Sequence, residues 1–519
     1  MTVLVALPFL LPLLGAAVTL LISRWPRVQR AASLLTLAAV TANAGLLLAE
    51  TADGTVISSQ AGGWPAPLGI TLVADPLSAL LVLVSSVVLL IVLLYAIGQD
   101  VGGLSRGNPD VFHPVYLVLT AGVGLSFVAG DLFNLFVGFE VTLTASYALI
   151  TQAPTRERTR ASMIYTVVSL ISSILFLTGI ALVYAATGTV NMADIADRLA
   201  TVPGDLRNVL GLFFLVVFGI KAAVVPMHFW LPDSYPIAIT RISAIFAALL
   251  TKVAVYAIIR TQTLLFSRDD ITDVLLVFAI VTMLVGILGA LVQDDVNRVL
   301  SFALVSHIGY MIFGLGLVGV PGGHDDAGVA GLTGVIVYLV HHIVVQATLF
   351  LVAGLIRQYV GNTSLRSIRG LASVSPALAL FFFLPAMSLA GLPPMSGFVA
   401  KLALFQAGLE QGGPLAYAGV AAGVATSVLT LIAIFRIWVR GFWGTPSQAI
   451  VAAQSALSSG TGRFGIRWMT ATTGLMVATG IAVALLAGPL TEIGTVAARE
   501  LISGEAYRTA VMSDSVVAP

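Results

Sequence analysis

The chain has 519 residues, of which 58% are hydrophobic and only 9% are charged, whereas a soluble domain usually carries about 25% charged residues. Such a composition cannot cover a water-facing surface, so it predicts a polytopic membrane protein. A net charge near +1 argues against nucleic acid as a partner, and the absence of cysteine excludes cysteine-ligated iron–sulfur clusters, thiol catalysis and disulfides. The first apolar run, Val3 to Ile22, lacks a basic leader and is followed by arginines, which indicates a retained span rather than a cleaved signal.

Apolar runs follow one another along the whole chain, and each is long enough to cross about 30 Å of hydrocarbon as a helix. We therefore predict an all-α polytopic membrane protein with about fourteen transmembrane helices, all in a single membrane domain. The predicted spans lie near residues 2–22, 31–49, 73–97, 113–129, 132–151, 161–186, 208–230, 237–260, 272–292, 296–319, 329–357, 377–411, 416–440 and 466–490.

Two predicted spans contain proline in their interior. Pro226 lies in the seventh span, and Pro393 and Pro394 lie in the twelfth, which is too long for one straight crossing. Proline lacks an N–H and clashes with the preceding turn, so both helices are predicted to break. Pro226 and Pro394 are 168 positions apart (394 − 226), and Glu140 shifted by nearly the same amount reaches His307. This spacing predicts two inverted five-helix repeats, helices four to eight and nine to thirteen, with chance alignment as the alternative; transporters often use such repeats.

The chain is predicted to divide into four consecutive parts within its one membrane domain, residues 1–519. Helices one to three occupy residues 1–112, the first repeat 113–260, the second repeat 272–440, and the last helix with a short tail 441–519. Sixteen arginines lie in or beside loops that follow odd-numbered spans, and six lie elsewhere. The positive-inside rule then predicts a multi-pass protein of the cell membrane with both termini outside the cytoplasm.

Lysine occurs at only three positions, Lys221, Lys252 and Lys401, and each lies inside an apolar run. A lysine at the middle of a membrane costs about 2.5–3.5 kcal/mol on insertion scales, which suggests a function. A buried amine is suited to taking up and releasing protons, because burial lowers the pKa of an amine and a neighbouring carboxylate raises it. Glu140 is the only acidic residue well inside any predicted span, so it is the candidate for that carboxylate.

Each of these four residues also has a structural explanation. Glu140 could form a structural ion pair or stay neutral and hydrogen-bonded, and Lys221 could simply fill the break at Pro226. Lys252 is eight residues from the helix end at Arg260, about 12 Å, which is too far for easy snorkelling. Lys401 could snorkel from the shorter half of its broken helix.

Histidines form a second set of candidates, because a neutral imidazole both donates and accepts and titrates near neutral pH. His307, His341 and His342 lie within predicted spans, where each could equally be a satisfied polar core residue. The adjacent pair points to two helix faces, so His307 and His342 are better candidates than His341. His228 and Asp233 flank the end of the first broken helix and could form a gate, although Asp233 could also be a loop cap. The histidines are too scattered for a metal site, and we predict neither metal nor cofactor.

Four motifs occur together in this chain: FGIKAAVVPMHFWLPDSYP, FAALLTKVAVY, VSHIGYM and LAGLPPMSGFVAKL. Their combination resembles the antiporter-like membrane subunits shared by respiratory complex I and the multisubunit Mrp sodium/proton antiporters, over nearly all predicted spans. Lysine rather than glutamate at position 401, with the helix LLTKVAVYAIIR, is most similar to the D-type subunits of the Mrp group. The resemblance implies other subunits of a hetero-oligomeric complex, protons, sodium ions and lipid as partners.

The resemblance also implies roles for single residues. Glu140 and Lys221 match a pair that gates proton movement, Lys252 matches a central group, His342 matches the histidine of the eleventh helix, and Lys401 matches the terminal residue of the twelfth.

One position departs from the pattern. Several relatives have lysine four residues after this histidine, whereas this chain has Gln346. Glutamine cannot take up a proton, so water or His342 would have to bridge that step. The sequence therefore predicts a proton-translocating antiporter subunit, with a pump subunit of an NADH:quinone oxidoreductase-type complex and a structural scaffold as alternatives.

Overall fold

The computed structural model describes residues 2–101, 109–152, 155–266, 271–319, 325–447, 450 and 461–513. The first half of the described chain forms α1 (Thr2–Leu21), α2 (Pro26–Thr51), β1 (Ile57–Gln60), β2 (Thr71–Ala74), α3 (Pro76–Val101), α4 (Pro109–Val128), α5 (Leu132–Ile150), α6 (Arg156–Thr187), α7 (Met192–Leu199), α8 (Gly204–Ala222), α9 (Trp230–Ser234), α10 (Thr240–Ile245) and α11 (Thr251–Leu264). The second half forms α12 (Thr272–Leu291), α13 (Val296–Gly316), α14 (Asp325–Val360), α15 (Leu371–Val374), α16 (Pro376–Ala390), α17 (Ser396–Gln411), α18 (Pro414–Ile437), α19 (Thr461–Leu485), α20 (Ala487–Ser503) and α21 (Glu505–Met512).

Twelve helices of the described residues are long and apolar enough to cross a membrane, with α10 and α11 counted as one continuous helix. They correspond to all the predicted spans except the seventh and the twelfth, which contain the prolines. The all-α polytopic class is thereby confirmed, while the count of fourteen spans and the inverted repeat stay predictions.

The chain leaves the helix at both positions where the sequence predicts a break. The first interruption follows α8, where Ala223 takes a left-handed backbone with φ of +63°. The second follows α16, where Gly391 takes the same region with φ of +86°. Each of these residues lies three positions before a proline, Pro226 or Pro394. The two interruptions therefore share one backbone design, which ends a helix in the interior of the bundle.

Helix α14 lies at the centre of the bundle, and every residue of its most apolar 18-residue stretch is buried. It packs against α3, α10, α13, α16, α17, α19 and α20. Gly354 allows the closest approach, because a Cβ atom there would lie 2.1 Å from Cγ2 of Thr240 and 2.5 Å from the hydroxyl of Tyr95. Small residues commonly permit such contacts between membrane helices.

One end of the bundle, called here the hairpin end, is formed by β1, β2, α7 and α21. The two strands pair in antiparallel register, with Ile57 opposite Ala74. The Ser58 hydroxyl donates to the backbone carbonyl of Ala510, 2.7 Å away, which joins the strands to the C-terminal helices. Neither the strands nor α20 and α21 are predicted by the hydropathy pattern, from which the residues after the last span are expected to form a short tail.

The opposite end, called here the arginine end, carries ion pairs between loops and helix termini. Arg366 and Arg440 lie 2.8 Å and 3.5 Å from Asp294. The hydrogen bond from Arg366 holds the pKa of the Asp294 carboxyl below its usual range. A buried pair lies close by, in which Arg241 of α10 donates to Asp100 of α3 over 2.7 Å.

We predict that the buried pair at the arginine end stabilises the fold. Arg241→Met leaves Asp100 charged and unpaired in the interior, which costs about 3–5 kcal/mol. The expected result is a clear fall in the melting temperature of the detergent-solubilised complex, with recovery when Asp100→Asn is added. Arg366→Gln is the control, because Arg366 is 81% exposed and exposed pairs contribute little. Equal melting temperatures for Arg241→Met and the wild type would contradict the prediction.

Candidate functional site: a buried row of ionisable side chains

The five residues of the predicted row lie on five different helices. Glu140 lies on α5, Lys221 on α8, Lys252 on α11, His342 on α14 and Lys401 on α17. The exposed fractions of the three lysines are 8%, 0% and 3% in chain order. All three amines are thus enclosed by this chain, and the structure does not support snorkelling of Lys401 to a surface.

Glu140 and Lys221 are connected through a third residue, Ser173 of α6. The Ser173 hydroxyl donates to the Glu140 carboxylate, and the Lys221 ammonium donates to the same hydroxyl over 3.1 Å. Glu140 and Lys221 do not form a direct ion pair with each other in the described part of the chain. The Lys221 ammonium also lies 5.1 Å from the ring centroid of Phe139, which adds a cation–π contact. One serine hydroxyl therefore bridges the two charged groups.

A small cavity of about 30 Å³ lies beside Lys221. Its lining includes Ser169 of α6, Tyr165 of α6 and Val253 of α11, so it extends from Lys221 toward the helix that carries Lys252. A water molecule needs roughly 10–15 Å³ of such space and several polar partners. The cavity has room for water beside Lys221.

Lys252 lies just after an irregular turn between α10 and α11. The segment Phe246–Leu250 is a π-helix, a form of turn that is common at functional sites. The Lys252 ammonium donates to the backbone carbonyl of Ala247, five residues earlier. This carbonyl is the only hydrogen-bond acceptor that the described residues offer to the Lys252 ammonium.

The histidines form one cluster around Tyr338. Nδ1 of His307 lies 2.6 Å from the Tyr338 hydroxyl, and the rings of His307 and His342 stack with centroids 5.3 Å apart. Nδ1 of His341 lies 2.9 Å from the Ser396 hydroxyl. Both nitrogens of His342 and Nε2 of His307 lack a hydrogen-bond partner among the described residues. Buried polar atoms usually have partners, so these nitrogens are suited to water or to transferred protons.

Lys401 lies at the second helix interruption. Its ammonium donates to the carbonyls of Leu389 and Ala390, over 3.0 Å and 3.2 Å, and lies 4.8 Å from the Tyr310 ring centroid. A Cβ atom on Gly391 would lie 2.8 Å from Cδ of Lys401. Glycine at this position therefore allows the left-handed backbone and also leaves space for the lysine side chain.

The remaining candidates lie beside the row or away from it. Nε2 of Gln346 donates to the Leu300 carbonyl over 3.0 Å, which fixes the amide in the interior. His228 is half-buried in the turn after the first interruption. Asp233 lies within α9 and forms a 3.3 Å ion pair with Arg298 at the arginine end. No hydrogen bond or ion pair of the described residues joins His228 or Asp233 to the five-residue row, and their role as a gate stays a prediction.

Sequence reasoning missed the residues that connect the row. Ser173, Tyr338 and Tyr310 are neutral, and nothing in their spacing distinguishes them from ordinary packing residues. The adjacent serines Ser172 and Ser173 in the middle of α6 are the one signal that could have drawn attention to Ser173.

Comparison with known proteins decides the family. The family model described as NADH:quinone oxidoreductase/Mrp antiporter, TM, matches residues 129–430. The chain belongs to this family. It is similar to the D-type subunit of the Na⁺/H⁺ antiporter of Alkalihalophilus pseudofirmus, with 39% identity over 85% of this chain and 87% of that protein.

Two solved structures are similar over almost the full length. A chain of the Mrp complex from Dietzia sp. superposes with a TM-score of 0.88, at 33% identity, covering 99% of this chain and 100% of that chain. A chain of the archaeal membrane-bound sulfane sulfur reductase gives 0.83 at 25% identity, covering 98% and 99%. The bundle described above is thus the fold of membrane subunits in this family.

We predict that the space at Gly391 sets the position of Lys401. Gly391→Ala strains a left-handed backbone by about 1–2 kcal/mol and also pushes the lysine away. Gly361→Ala is the matched control, because Gly361 has φ of +83° and nothing within 4 Å of an added Cβ atom. Both variants should lower the melting temperature of the complex, but only Gly391→Ala should lower ion flux in vesicles. Equal flux in the two variants would count against this role of the glycine.

Proposed function

We propose that this chain is the proton-translocating, D-type subunit of a multisubunit Mrp Na⁺/H⁺ antiporter of the cell membrane. Protons move along the row Glu140, Lys221, Lys252, His342 and Lys401, and both chain termini lie outside the cytoplasm. The observation that carries the proposal is the burial of three lysines in one bundle, each beside a polar group or a released carbonyl. Similarity to a D-type antiporter protein supports it.

The Ser173 hydroxyl couples the charges of the first two residues. A hydroxyl has one proton to donate and can accept from a neighbour. It donates to Glu140 while it accepts from Lys221, which favours a carboxylate and an ammonium together. When Glu140 takes up a proton, the hydroxyl loses its charged acceptor and the ammonium loses a nearby negative charge. Lys221 then releases its proton more readily.

The cavity beside Lys221 gives the released proton a route toward Lys252. From there the histidine cluster leads to Lys401, and the charges of Lys252 and Lys401 both act on His342. Gln346 cannot carry a proton, because an amide has no titrating group. The stacked rings of His307 and His342 bypass it, since three of their nitrogens lack a partner among the described residues and can bind a proton or a buried water.

Glu140 also connects the row to a neighbouring subunit. The face of α5 that carries Glu140 is only partly covered by this chain, and Phe133 on the same face is 49% exposed. A carboxylate against lipid is costly, so this face contacts another subunit in the assembled complex. The charge state of the Glu140–Lys221 pair thereby couples proton movement to sodium movement in neighbouring subunits.

A second candidate is a pump subunit in an oxidoreductase complex of the NADH:quinone oxidoreductase type. The similarity to a chain of the sulfane sulfur reductase complex over 98% of this chain favours it. Purification of the native complex distinguishes the two, because iron and flavin that co-elute in fixed ratio support the oxidoreductase assembly.

The test of the main proposal uses everted membrane vesicles and a pH-sensitive dye. Glu140→Ala and Lys221→Ala should each abolish sodium-driven proton flux, because each removes one end of the coupled pair. Glu410→Ala is the control, since Glu410 is an exposed carboxylate near the end of α17. Variants that assemble and keep wild-type flux would show that the proposed roles are wrong.

We also predict that Ser173 transmits charge between Glu140 and Lys221. Ser173→Ala removes the shared hydroxyl and should lower sodium-driven flux at least about tenfold, as loss of a positioned proton-transfer group does. Ser162→Ala is the matched control, because Ser162 lies on the same helix and, among the described residues, donates only to the Thr159 carbonyl of its own turn. The measurement is flux across a pH series, and overlapping profiles for the two serine variants would refute the role of Ser173.

A further inference from the structure

A second buried cluster of ionisable residues lies at the hairpin end, away from the row. Arg260 near the end of α11 donates to Asp75, which immediately precedes α3. The Arg260 guanidinium carbon lies 5.0 Å from the ring centroid of Tyr507. Glu500 of α20 completes the cluster. The exposed fractions of Asp75, Arg260 and Glu500 are 0%, 2% and 7%.

This cluster contains two carboxylates and only one cation among the described residues. Asp75 forms the ion pair with Arg260 and also accepts a hydrogen bond from the Ser78 N–H over 2.8 Å. Neither oxygen of Glu500 makes a hydrogen bond within the described part of the chain, although the backbone N–H of Tyr507 faces the carboxylate. An ionised carboxylate that is buried without partners is costly. Binding a cation would remove this cost for Glu500. A proton is the simplest such cation, because it neutralises the carboxylate without requiring other ligands.

The electrostatic surroundings agree with this geometry. Burial, and then the Asp75 charge, raise the pKa of Glu500 to about 7, although Arg260 acts in the opposite direction. The titratable and charged groups that face Glu500 are Asp75 before α3, Tyr256 and Arg260 on α11, and Tyr507 on α21. Helices α14 and α19 also pack against α20, and the described residues of these two helices add no charge at Glu500.

The cluster lies on the same helix face as the central lysine of the row. Lys252, Tyr256 and Arg260 are spaced four residues apart on α11, so they follow one face over about 12 Å. The Arg260 guanidinium donates to the Tyr256 hydroxyl over 3.4 Å. Tyr256 is therefore the polar side chain that lies between Lys252 and the Glu500 cluster on this face.

Water at the hairpin end comes close to the cluster from outside. A surface cavity of about 320 Å³ is lined by Thr263 and Leu264 of α11 and by Ser503 and Gly504 after Glu500. Ser503 is three residues from Glu500, which is less than one helical turn. The cluster thus lies between an aqueous cavity and the row.

We propose that Glu500 is the carboxyl at which the buried row exchanges protons with the hairpin end of the bundle. The carboxylate takes up a proton from water in the cavity, and the neutral acid passes this proton toward the neutral amine of Lys252. The reverse transfer returns a proton from the Lys252 ammonium to the cavity, with Arg260 balancing the charge of Asp75 throughout. The link to transport rests on the proposed function of the row, whereas proton binding by Glu500 does not.

The test uses the whole complex in proteoliposomes and two glutamates of one helix. Glu500→Gln keeps the shape of the side chain and removes the titrating group, and Glu492→Gln is the control because Glu492 is exposed on α20. In infrared difference spectra across a pH series, a carboxylic-acid C=O band should titrate near pH 7. The band should vanish in Glu500→Gln and persist in Glu492→Gln. A band that persists in Glu500→Gln overturns the proposal.

Sodium-driven proton flux provides the second measurement. Glu500→Gln should lower flux at least about tenfold and flatten its dependence on pH, because the exchange group is missing. Glu500→Asp keeps a titrating carboxyl and should restore a pH-dependent flux, which a purely structural role of Glu500 does not predict. Wild-type flux in Glu500→Gln overturns the role in transport.

The two proposals fail separately. If Glu140→Ala and Lys221→Ala keep their flux while Glu500→Gln loses the band and the flux, the row is wrong, and Glu500 is supported as a proton-binding group that acts on transport by another route. If Glu140→Ala and Lys221→Ala lose flux while Glu500→Gln behaves as the wild type, the row is supported and the Glu500 site is refuted.

Discussion

The interior of this bundle depends on hydrogen bonds between buried amines and carbonyl groups released by irregular backbone. A membrane offers no water to such carbonyls, so the protein itself must supply their partners. Lys252 satisfies Ala247 at the π-turn, and Lys401 satisfies Leu389 and Ala390 at the end of α16. The irregular backbone and the lysines therefore depend on each other. The same contacts that stabilise the helix ends place titrating groups deep in the bundle.

The two helix interruptions share a backbone conformation but differ in the groups that bond to their released carbonyls. At the first interruption the indole N–H of Trp230 donates to the Ile220 carbonyl over 3.0 Å. Lys221 is then not needed as a cap and reaches Ser173 instead. At the second interruption the lysine itself is the cap. One interruption thus leaves its lysine coupled to a carboxylate, while the other fixes its lysine on neutral carbonyls.

The sequence could predict most of the spans and the burial of the three lysines, because the length and hydropathy of the apolar runs decide both. It could not predict every break from proline alone, since Pro8, Pro114 and Pro385 lie inside helices that continue. What distinguishes the true interruptions is a left-handed residue three positions earlier, and an alanine there gives no signal. The role of Ser173 was invisible for a similar reason, because serine in a membrane helix usually bonds to its own turn.

Two buried arginine–aspartate pairs hold the helix of Lys252 at both of its ends. Arg241 at the start of α10 pairs with Asp100 at the end of α3, and Arg260 near the end of α11 pairs with Asp75 before α3. The two helices are thereby joined antiparallel across the whole bundle, with the π-turn between the two joints. A turn of this kind would otherwise let the helix shift. Within the described residues, the joint at Arg260 has a second buried carboxylate, Glu500, and the joint at Arg241 has Asp100 alone. A change of charge at Glu500 would therefore act at one end of a helix whose other end is held by a separate ion pair.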